Sequence, residues 1–186
     1  MKIIGLTGTI AAGKGEGVRY LVDKKHFAHF SARTFITQEV LRRGLPVNLD
    51  TLVDVANDLR RLHSPSYIAE QLFAQALVSS NPRCVIESLR TEGEVVSLRA
   101  KGNFCLWSID ARPEIRYERL VQRKSETDMI SFEEFLAQEE KQMRSDDPNK
   151  QNLFRCIELA DYRLLNNGTL DELYDTLEFF LKRDKY

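Results

Sequence analysis

A glycine-rich loop near the start of the chain carries residue types that bind phosphate. Its sequence, Gly8-Thr9-Ile10-Ala11-Ala12-Gly13-Lys14, has the GxxxxGK pattern. In this pattern the glycines let backbone amides converge on phosphate oxygens, the following helix N-terminus adds partial positive charge, and the lysine reaches the terminal phosphates. The Ser or Thr that usually follows, and whose hydroxyl helps to hold magnesium, is replaced by Gly15. The residues that we expect to contact a nucleotide in this phosphate loop (residues 8–16) are Gly8, Thr9, Ile10, Ala11, Ala12, Gly13, Lys14, Gly15 and Glu16.

Polar residues also follow the other apolar runs that read as strands. Ser31, Glu87, Asp110 and Asn167 each lie just past the end of such a run. Because ligands of open α/β sheets bind beyond the carboxyl ends of the strands, we expect these side chains at the same edge as the phosphate loop. Two of them also have an ordinary explanation, since Glu87 can cap a turn and Asn167-Gly168 can be a plain turn.

Two sets of arginines could bind further phosphate groups. Arg33 and Arg90 lie on the expected ligand edge, where they would grip phosphate, although surface ion pairs are the alternative. A second set has spacings of four, three and four, which predicts one helical face carrying Arg112, Arg116, Arg119 and Arg123. The alternative for this set is a solvated face paired with Glu114 and Glu118.

The elements that must position these residues follow from hydrophobic runs and their punctuation. Short apolar runs predict five strands at residues 2–6, 27–30, 84–86, 104–109 and 162–165. Helical patterns lie between them, and capping boxes mark three helix starts at Thr91, Ser131 and Thr169. Strands without polar alternation, separated by helices, indicate a five-stranded parallel sheet with helices on both faces. We expect a single α/β domain over residues 1–186, in which residues 31–80 and 124–145 lie outside the sheet.

A few further residues indicate helix boundaries and bear on the question of metal sites. Ser64-Pro65 predicts a further helix start, and Gly44 a helix end. His26 and His29 flank the second strand without a third ligand nearby, so we expect no metal site there. Trp107 and the cysteines lie in or beside apolar runs and are expected in the core.

Composition excludes several classes of protein. With 27 Lys and Arg against 28 Asp and Glu, the net charge of -1 over 186 residues gives no global field for nucleic acid or anionic membrane. No apolar run approaches the roughly 18 residues of a membrane helix, and the apolar N-terminus is too interrupted for a signal peptide. The three cysteines form neither a CxxC pair nor a disulfide framework. We therefore expect a cytoplasmic protein without nucleic-acid or membrane partners.

Motifs of other nucleotide-binding classes are missing. The base-reading Asn-Lys-x-Asp string of GTP switches has its nearest match at residues 149–152, which end in Asn152 instead of Asp. No DxxG, HRD or DFG string occurs. Gly13, Gly15 and Gly17 read GxGxG, which differs from the Rossmann GxGxxG fingerprint.

The GKGE, ESLR and NNGT strings, together with the size and layout, resemble nucleoside monophosphate kinases and their dephospho-coenzyme A kinase relatives. The resemblance covers essentially the whole chain and is closest to a poorly characterised branch of the adenylate-kinase-like superfamily. It implies a P-loop kinase fold, with residues 31–80 as an acceptor-binding helical insertion and residues 124–145 as a lid. Members of that superfamily also have glycine after the lysine but usually continue with threonine, so Glu16 puts the direct magnesium contact in question.

The same resemblance implies a role for each matching residue. Lys14 would act on the phosphates of ATP, and Arg33 and Arg90 would bind the phosphate of the acceptor. Arg90 would also be catalytic together with Lys14. Arg119 and Arg123 would neutralise the transferring group or stack on adenine, whereas Arg112 and Arg116 stay structural. Glu87 would act on Mg²⁺ through water, and Asn167 and Gly168 would pack on adenine.

The implied function is ATP-dependent phosphoryl transfer to a (deoxy)nucleoside monophosphate by a monomer or homodimer. Dephospho-coenzyme A is the alternative acceptor, and it would require a general base because the attacking group is a ribose hydroxyl. The alternative of another class is a regulatory module that binds ATP through the phosphate loop. Such a module needs no second phosphate site, so the two arginine sets distinguish the two classes.

Overall fold

The computed structural model describes residues 1–123 and 130–184. All five predicted strands are present, and each boundary lies within one residue of the prediction. They are β1 (Lys2–Thr7), β2 (Ala28–Ser31), β3 (Arg83–Glu87), β4 (Phe104–Asp110) and β5 (Tyr162–Leu165).

The strands form one sheet in the order β2-β3-β1-β4-β5, and every neighbouring pair is parallel. The carboxyl ends of all five strands therefore meet at one edge. The register places Glu87 opposite both Ser31 and Leu6, and Ser108 opposite Thr7, so that the ends of β2, β3, β1 and β4 lie side by side. This arrangement confirms the predicted parallel α/β fold.

Helices connect the strands and cover both faces of the sheet. In the described parts of the chain they are α1 (Lys14–Lys25), α2 (Ala32–Arg42), α3 (Leu49–Leu62), α4 (Tyr67–Val78), α5 (Glu92–Ala100), α6 (Pro113–Gln122), α7 (Phe132–Met143), α8 (Leu153–Glu158) and α9 (Leu170–Arg183).

The core is divided by the sheet into two layers. Ile4, Leu6 and Trp107 face α1 and α9 in one layer, while Ile3 and Leu106 face α2 to α5 and α8 in the other. Apolar residues on both faces of the same strands explain why these strands lack polar alternation in the sequence.

Side-chain caps set several helix starts where the sequence predicts them. The capping boxes at Thr91, Ser131 and Thr169 are all formed, each with a glutamate three residues later. The predicted start at Ser64-Pro65 is wrong, because α4 begins at Tyr67 after a turn. The Thr91 hydroxyl donates to the carbonyl oxygen of Pro65 at 3.0 Å, which fixes this turn against the start of α5.

Two stretches of the described chain, residues 32–80 and 130–145, lie outside the sheet. The segment between β2 and β3 consists of α2, α3 and α4, and α2 ends just before Gly44, whose φ is 71°. Of the charged segment 124–145, residues 124–129 lie outside the described residues, and most of the remainder forms α7. No helix in residues 1–123 or 130–184 is both long and apolar enough to span a bilayer.

Candidate active site

The phosphate loop joins β1 to α1 through backbone that favours glycine. Gly8 has a φ of 130° and Gly13, the N-cap of α1, a φ of 102°. A Cβ atom on Gly8 would lie 1.9 Å from the carbonyl oxygen of Ile109, so only glycine lets the loop pass this close to β4. Ala11, between them, also has a positive φ of 59°. The resulting tight loop directs the N-terminus of α1 toward the ligand edge of the sheet.

Lys14 folds back over this loop. Its Nζ donates to the carbonyl oxygens of Gly8 at 2.8 Å and Thr9 at 2.5 Å. Burial and then the positive charge of Arg90 lower the pKa of Lys14 to about 7, although Glu87 and Asp110 act in the opposite direction. An ammonium that is costly to charge in the protein alone would be stabilised by phosphate oxygens beside it.

Two polar side chains hold the loop from neighbouring strand ends. The Thr9 hydroxyl donates to Oδ1 of Asp110, at the end of β4. Nδ2 of Asn166, which follows β5, donates to the carbonyl oxygen of Ala12 at 2.9 Å. The sequence pattern assigns no separate role to Asn166, which is 6% exposed and belongs to the NNGT string. The only signal available for it was its place directly after a strand.

Glu87 lies at the end of β3, with His29 and Ser31 of β2 beside it. His29 Nε2 is 3.3 Å from Oε1 of Glu87. Burial raises the pKa of Glu87, but hydrogen bonds from His29 and Ser31 and the charges of His29 and Lys14 lower it more, so this pKa lies below its usual value. Glu87 is therefore a carboxylate at neutral pH, and His29 is a partner of it that sequence reasoning missed.

Arg90 and Arg33 lie near each other at this edge of the sheet but differ in their contacts. Arg90 is half-buried, and its Nη1 donates to Oε1 of Gln142 at 2.7 Å and of Gln151 at 3.3 Å. Arg33, in the first turn of α2, is exposed, and its charge acts on Arg90. The two arginines thus lie near each other but share no hydrogen bond or ion pair within the described residues.

A buried ion pair fixes the backbone that carries Arg90. Arg60 of α3 and Glu94 of α5 are each 1% exposed, with Arg60 Nη2 3.0 Å from Oε1 of Glu94. The other carboxylate oxygen accepts from the backbone N–H groups of Arg90 and Thr91 at 2.7 and 3.1 Å. The helical segment α2–α4 is therefore tied directly to the loop after β3.

The four regularly spaced arginines span α6 and differ in their surroundings. Arg112 is its N-cap and Arg123 its C-cap, so that Arg116 and Arg119 alone lie within the helix. Arg116 is buried beside the phosphate loop, and Arg123 is exposed. Arg119 is half-buried, and its Nη2 lies 3.5 Å from the carbonyl oxygen of Gly168.

The loop after β5 lies between the phosphate loop and α6. Oδ1 of Asn167 accepts from the backbone N–H of Arg112 at 2.8 Å, and Gly168 is the neighbour of Arg119. This loop is exposed apart from Asn166.

The charges at this edge are mixed and close to Lys14. Arg90 and Arg116 lower its pKa, whereas Glu87 and Asp110 raise it. Among the described residues, no group of three or more His, Cys, Asp or Glu side chains is arranged to hold a metal ion by itself. The site has cations for a polyanion and two carboxylates that can act with a metal brought in by that polyanion.

Comparisons with known proteins find full-length relatives and solved structures of the same fold. No protein-family model matches the chain. A UPF0200 protein of Methanococcus maripaludis is 26% identical, and the match covers 98% of this chain and 97% of the relative. A sugar kinase from Janibacter sp. HTCC2649 matches with a TM-score of 0.57 and 14% identity, over 98% of this chain and 95% of that one.

A shikimate kinase from Bacteroides thetaiotaomicron matches with a TM-score of 0.56 and 14% identity, over 97% of this chain and 98% of that one. At these identities the solved structures show a shared fold, and they confirm the fold that the phosphate loop and strand pattern predict. The chain has the P-loop kinase fold and is similar, along nearly its whole length, to UPF0200 proteins.

Proposed function

We propose that this protein is an ATP-dependent kinase that transfers the γ-phosphoryl group to a small nucleotide-like acceptor. The observation that carries the proposal is the position of Lys14. It lies in the phosphate loop, and the charges of two arginines and two carboxylates act on its ammonium group. Phosphoryl transfer needs little covalent participation from the protein, because positioning and charge neutralisation supply most of the catalysis. The residues around Lys14 are of the types that this chemistry requires.

The donor nucleotide would occupy the phosphate loop and the loop after β5. Backbone amides of residues 8–16 and Lys14 would bind the phosphates, and Asn167 and Gly168 would contact adenine. Arg119 supports this placement, because it lies beside Gly168 and its buried Nη1 has no hydrogen-bond partner in the described part of the chain. Its guanidinium is thus positioned to stack on the base or to bind a ligand oxygen.

The donor set fits Mg²⁺ that arrives with ATP. This ion usually keeps several waters and is held by one or two carboxylates together with phosphate oxygens. Glu87 and Asp110 would supply these carboxylates, with Glu87 acting through water. Gly15 has no hydroxyl to contribute, the Thr9 hydroxyl donates to Asp110, and Glu16 forms an ion pair with Arg19 on the exposed side of α1.

On the acceptor side, Arg33 and Arg90 would hold a phosphate group. The lowered pKa of Glu87 makes this carboxylate a weak base, which suits an acceptor phosphate that needs no deprotonation. A ribose hydroxyl, as in dephospho-coenzyme A, would need a stronger base. We therefore favour a (deoxy)nucleoside monophosphate as the acceptor.

A coupled assay of ADP release tests the proposal. The purified protein would be given MgATP and, separately, each nucleoside and deoxynucleoside monophosphate and dephospho-coenzyme A. We expect ADP release that depends on one class of monophosphate and a product carrying one added phosphate. Turnover with dephospho-coenzyme A alone would assign the other acceptor, and ATP binding without transfer to any acceptor would indicate the regulatory module.

A further inference from the structure

Arg116 of α6 lies beside the phosphate loop. Its side chain is 3% exposed, with Nε donating to the carbonyl oxygen of Ala111 at 2.7 Å and Nη1 lying 3.4 Å from the carbonyl oxygen of Ile10. Nε is also 3.6 Å from Oδ1 of Asp110, the carboxylate that holds Thr9. The guanidinium therefore lies against the backbone of the phosphate loop.

The two outer nitrogens of Arg116 meet a single carboxylate. Nη2 donates to Oε1 of Glu139 at 2.9 Å and Nη1 to Oε2, in a bidentate pair. Glu139 belongs to α7, and its side chain is 14% exposed. Phe135, one turn earlier in α7, packs its ring 5.3 Å from the guanidinium carbon.

A carboxylate and a phosphoryl group present their oxygens to arginine in the same two-pronged way. The Arg116–Glu139 pair therefore shows both the direction in which Arg116 donates its hydrogen bonds and the kind of group that it binds. Because the other donor, Nε, is used by the backbone, the pair with Glu139 is the part of Arg116 that a ligand can replace.

We propose that Arg116 is a phosphate-binding catalytic residue and that Glu139 competes with the γ-phosphoryl group of ATP for its two outer nitrogens. The inference rests on the proposed function. No bond to Arg116 forms or breaks: the bond from the γ-phosphorus to the ADP oxygen breaks, the acceptor oxygen takes its place, and Arg116 neutralises charge on the phosphoryl oxygens. This assigns to Arg116 the neutralising role that the family resemblance implies for Arg119 and Arg123.

The same face of α7 makes a second contact of this kind. Gln142, three residues after Glu139, accepts from Nη1 of Arg90 at 2.7 Å. One turn of α7 thus supplies an oxygen to an arginine on each side of Lys14. Since the glutamine is neutral, it competes with a phosphate less strongly than Glu139 does, and Glu139 is the residue to change.

The test compares Glu139→Gln with Glu140→Gln. The first variant keeps an oxygen for Arg116 but removes its charge, and the second changes an exposed residue of the same helix. Titration calorimetry would measure binding of Mg·ATPγS and of Mg·ADP to each full-length protein. We expect Glu139→Gln to bind Mg·ATPγS about fivefold more tightly than wild type, because a neutral acceptor is the weaker competitor, with less than twofold change for Mg·ADP. Glu140→Gln should match wild type for both.

Arg116→Lys provides the second measurement, in the ADP-release assay. It should lower kcat by about 100-fold or more while Mg·ADP affinity stays within twofold, since lysine cannot make the bidentate contact. Equal Mg·ATPγS affinity in Glu139→Gln and Glu140→Gln, or wild-type kcat in Arg116→Lys, would overturn the role of Arg116. If Arg116→Lys does not fold, the Glu139→Gln titration decides alone. A wild-type protein that does not bind Mg·ATPγS would overturn the proposed function itself.

Discussion

Binding of ATP should draw one proton from solution at pH 8.5, and Lys14 should be the group that takes it up. The pKa of Lys14 is lowered to about 7, first by burial and then by the charge of Arg90. At pH 8.5 the amine is therefore mostly neutral before binding. A phosphate oxygen beside Nζ favours the charged form, so the pKa rises when the nucleotide binds.

The magnitude follows from the two protonation states. With a pKa near 7, about 3% of Lys14 is charged at pH 8.5, and with its ordinary pKa of 10.5 restored about 99% is charged. The uptake is thus about 1 proton per nucleotide at pH 8.5, about 0.5 at pH 7 and about 0.1 at pH 6. Because binding consumes a proton, affinity should fall about eightfold between pH 7.5 and pH 8.5.

Titration calorimetry with Mg·ATPγS in buffers of different ionisation enthalpy measures this uptake. The slope of the observed binding enthalpy against the buffer ionisation enthalpy gives the number of protons. Lys14→Arg is the matched control, because arginine stays charged at every accessible pH and should show no uptake. Lys24→Arg, at an exposed position of the same helix, should keep the full uptake.

Two results would refute this reasoning. One is tight binding of Mg·ATPγS by wild type at pH 8.5 with an uptake near zero. The other is the same uptake in Lys14→Arg as in wild type, since the proton would then go to a different group.

Three further predictions concern the loop, the acceptor and the lid. Asn166→Ala removes a buried hydrogen bond to the carbonyl oxygen of Ala12, so it should lower the free energy of unfolding by about 1–3 kcal/mol in thermal or denaturant unfolding and raise KM for ATP. An unchanged KM for ATP in the destabilised variant would mean that Asn166 stabilises the fold without positioning the phosphate loop. Arg90→Lys should raise KM for the acceptor with ATP affinity nearly unchanged, because lysine keeps the charge but cannot make the two-pronged contact; equal weakening for both substrates would place Arg90 near the donor. If residues 124–145 are a lid, Arg123→Ala should lower turnover and remove the protection from hydrogen exchange that a bisubstrate analogue gives to α7; full protection of α7 without the analogue would mean a fixed helix.

Local patterns in the sequence were enough for the strands and the phosphate loop. Each buried strand is a short apolar run between turn residues, and the phosphate loop is a GxxxxGK string of seven consecutive residues. Capping boxes likewise depend on residues only three apart. These features depend on residues that are close together in the chain, which is why they can be predicted from the sequence alone.

The contacts that hold the site together were not predictable in the same way. Asn166 reaches a loop 154 positions earlier in the chain, and Glu139 meets Arg116 across 23 positions. Such pairs are created by the fold and leave no local pattern. The arginine spacing left the individual roles open for a related reason, since periodicity cannot show that Arg116 is buried against Glu139 whereas Arg123 is exposed.

The charge of Lys14 within a phosphate loop is the central claim, and the turnover of Lys14→Ala tests it most directly. The assay is ADP release with MgATP and the acceptor that wild type uses, with circular dichroism to show that the variant is folded. Lys14 lies at the loop and contributes little to the core, so the fold should be retained while kcat falls by about 100- to 1000-fold. A folded Lys14→Ala protein with wild-type turnover would contradict the account.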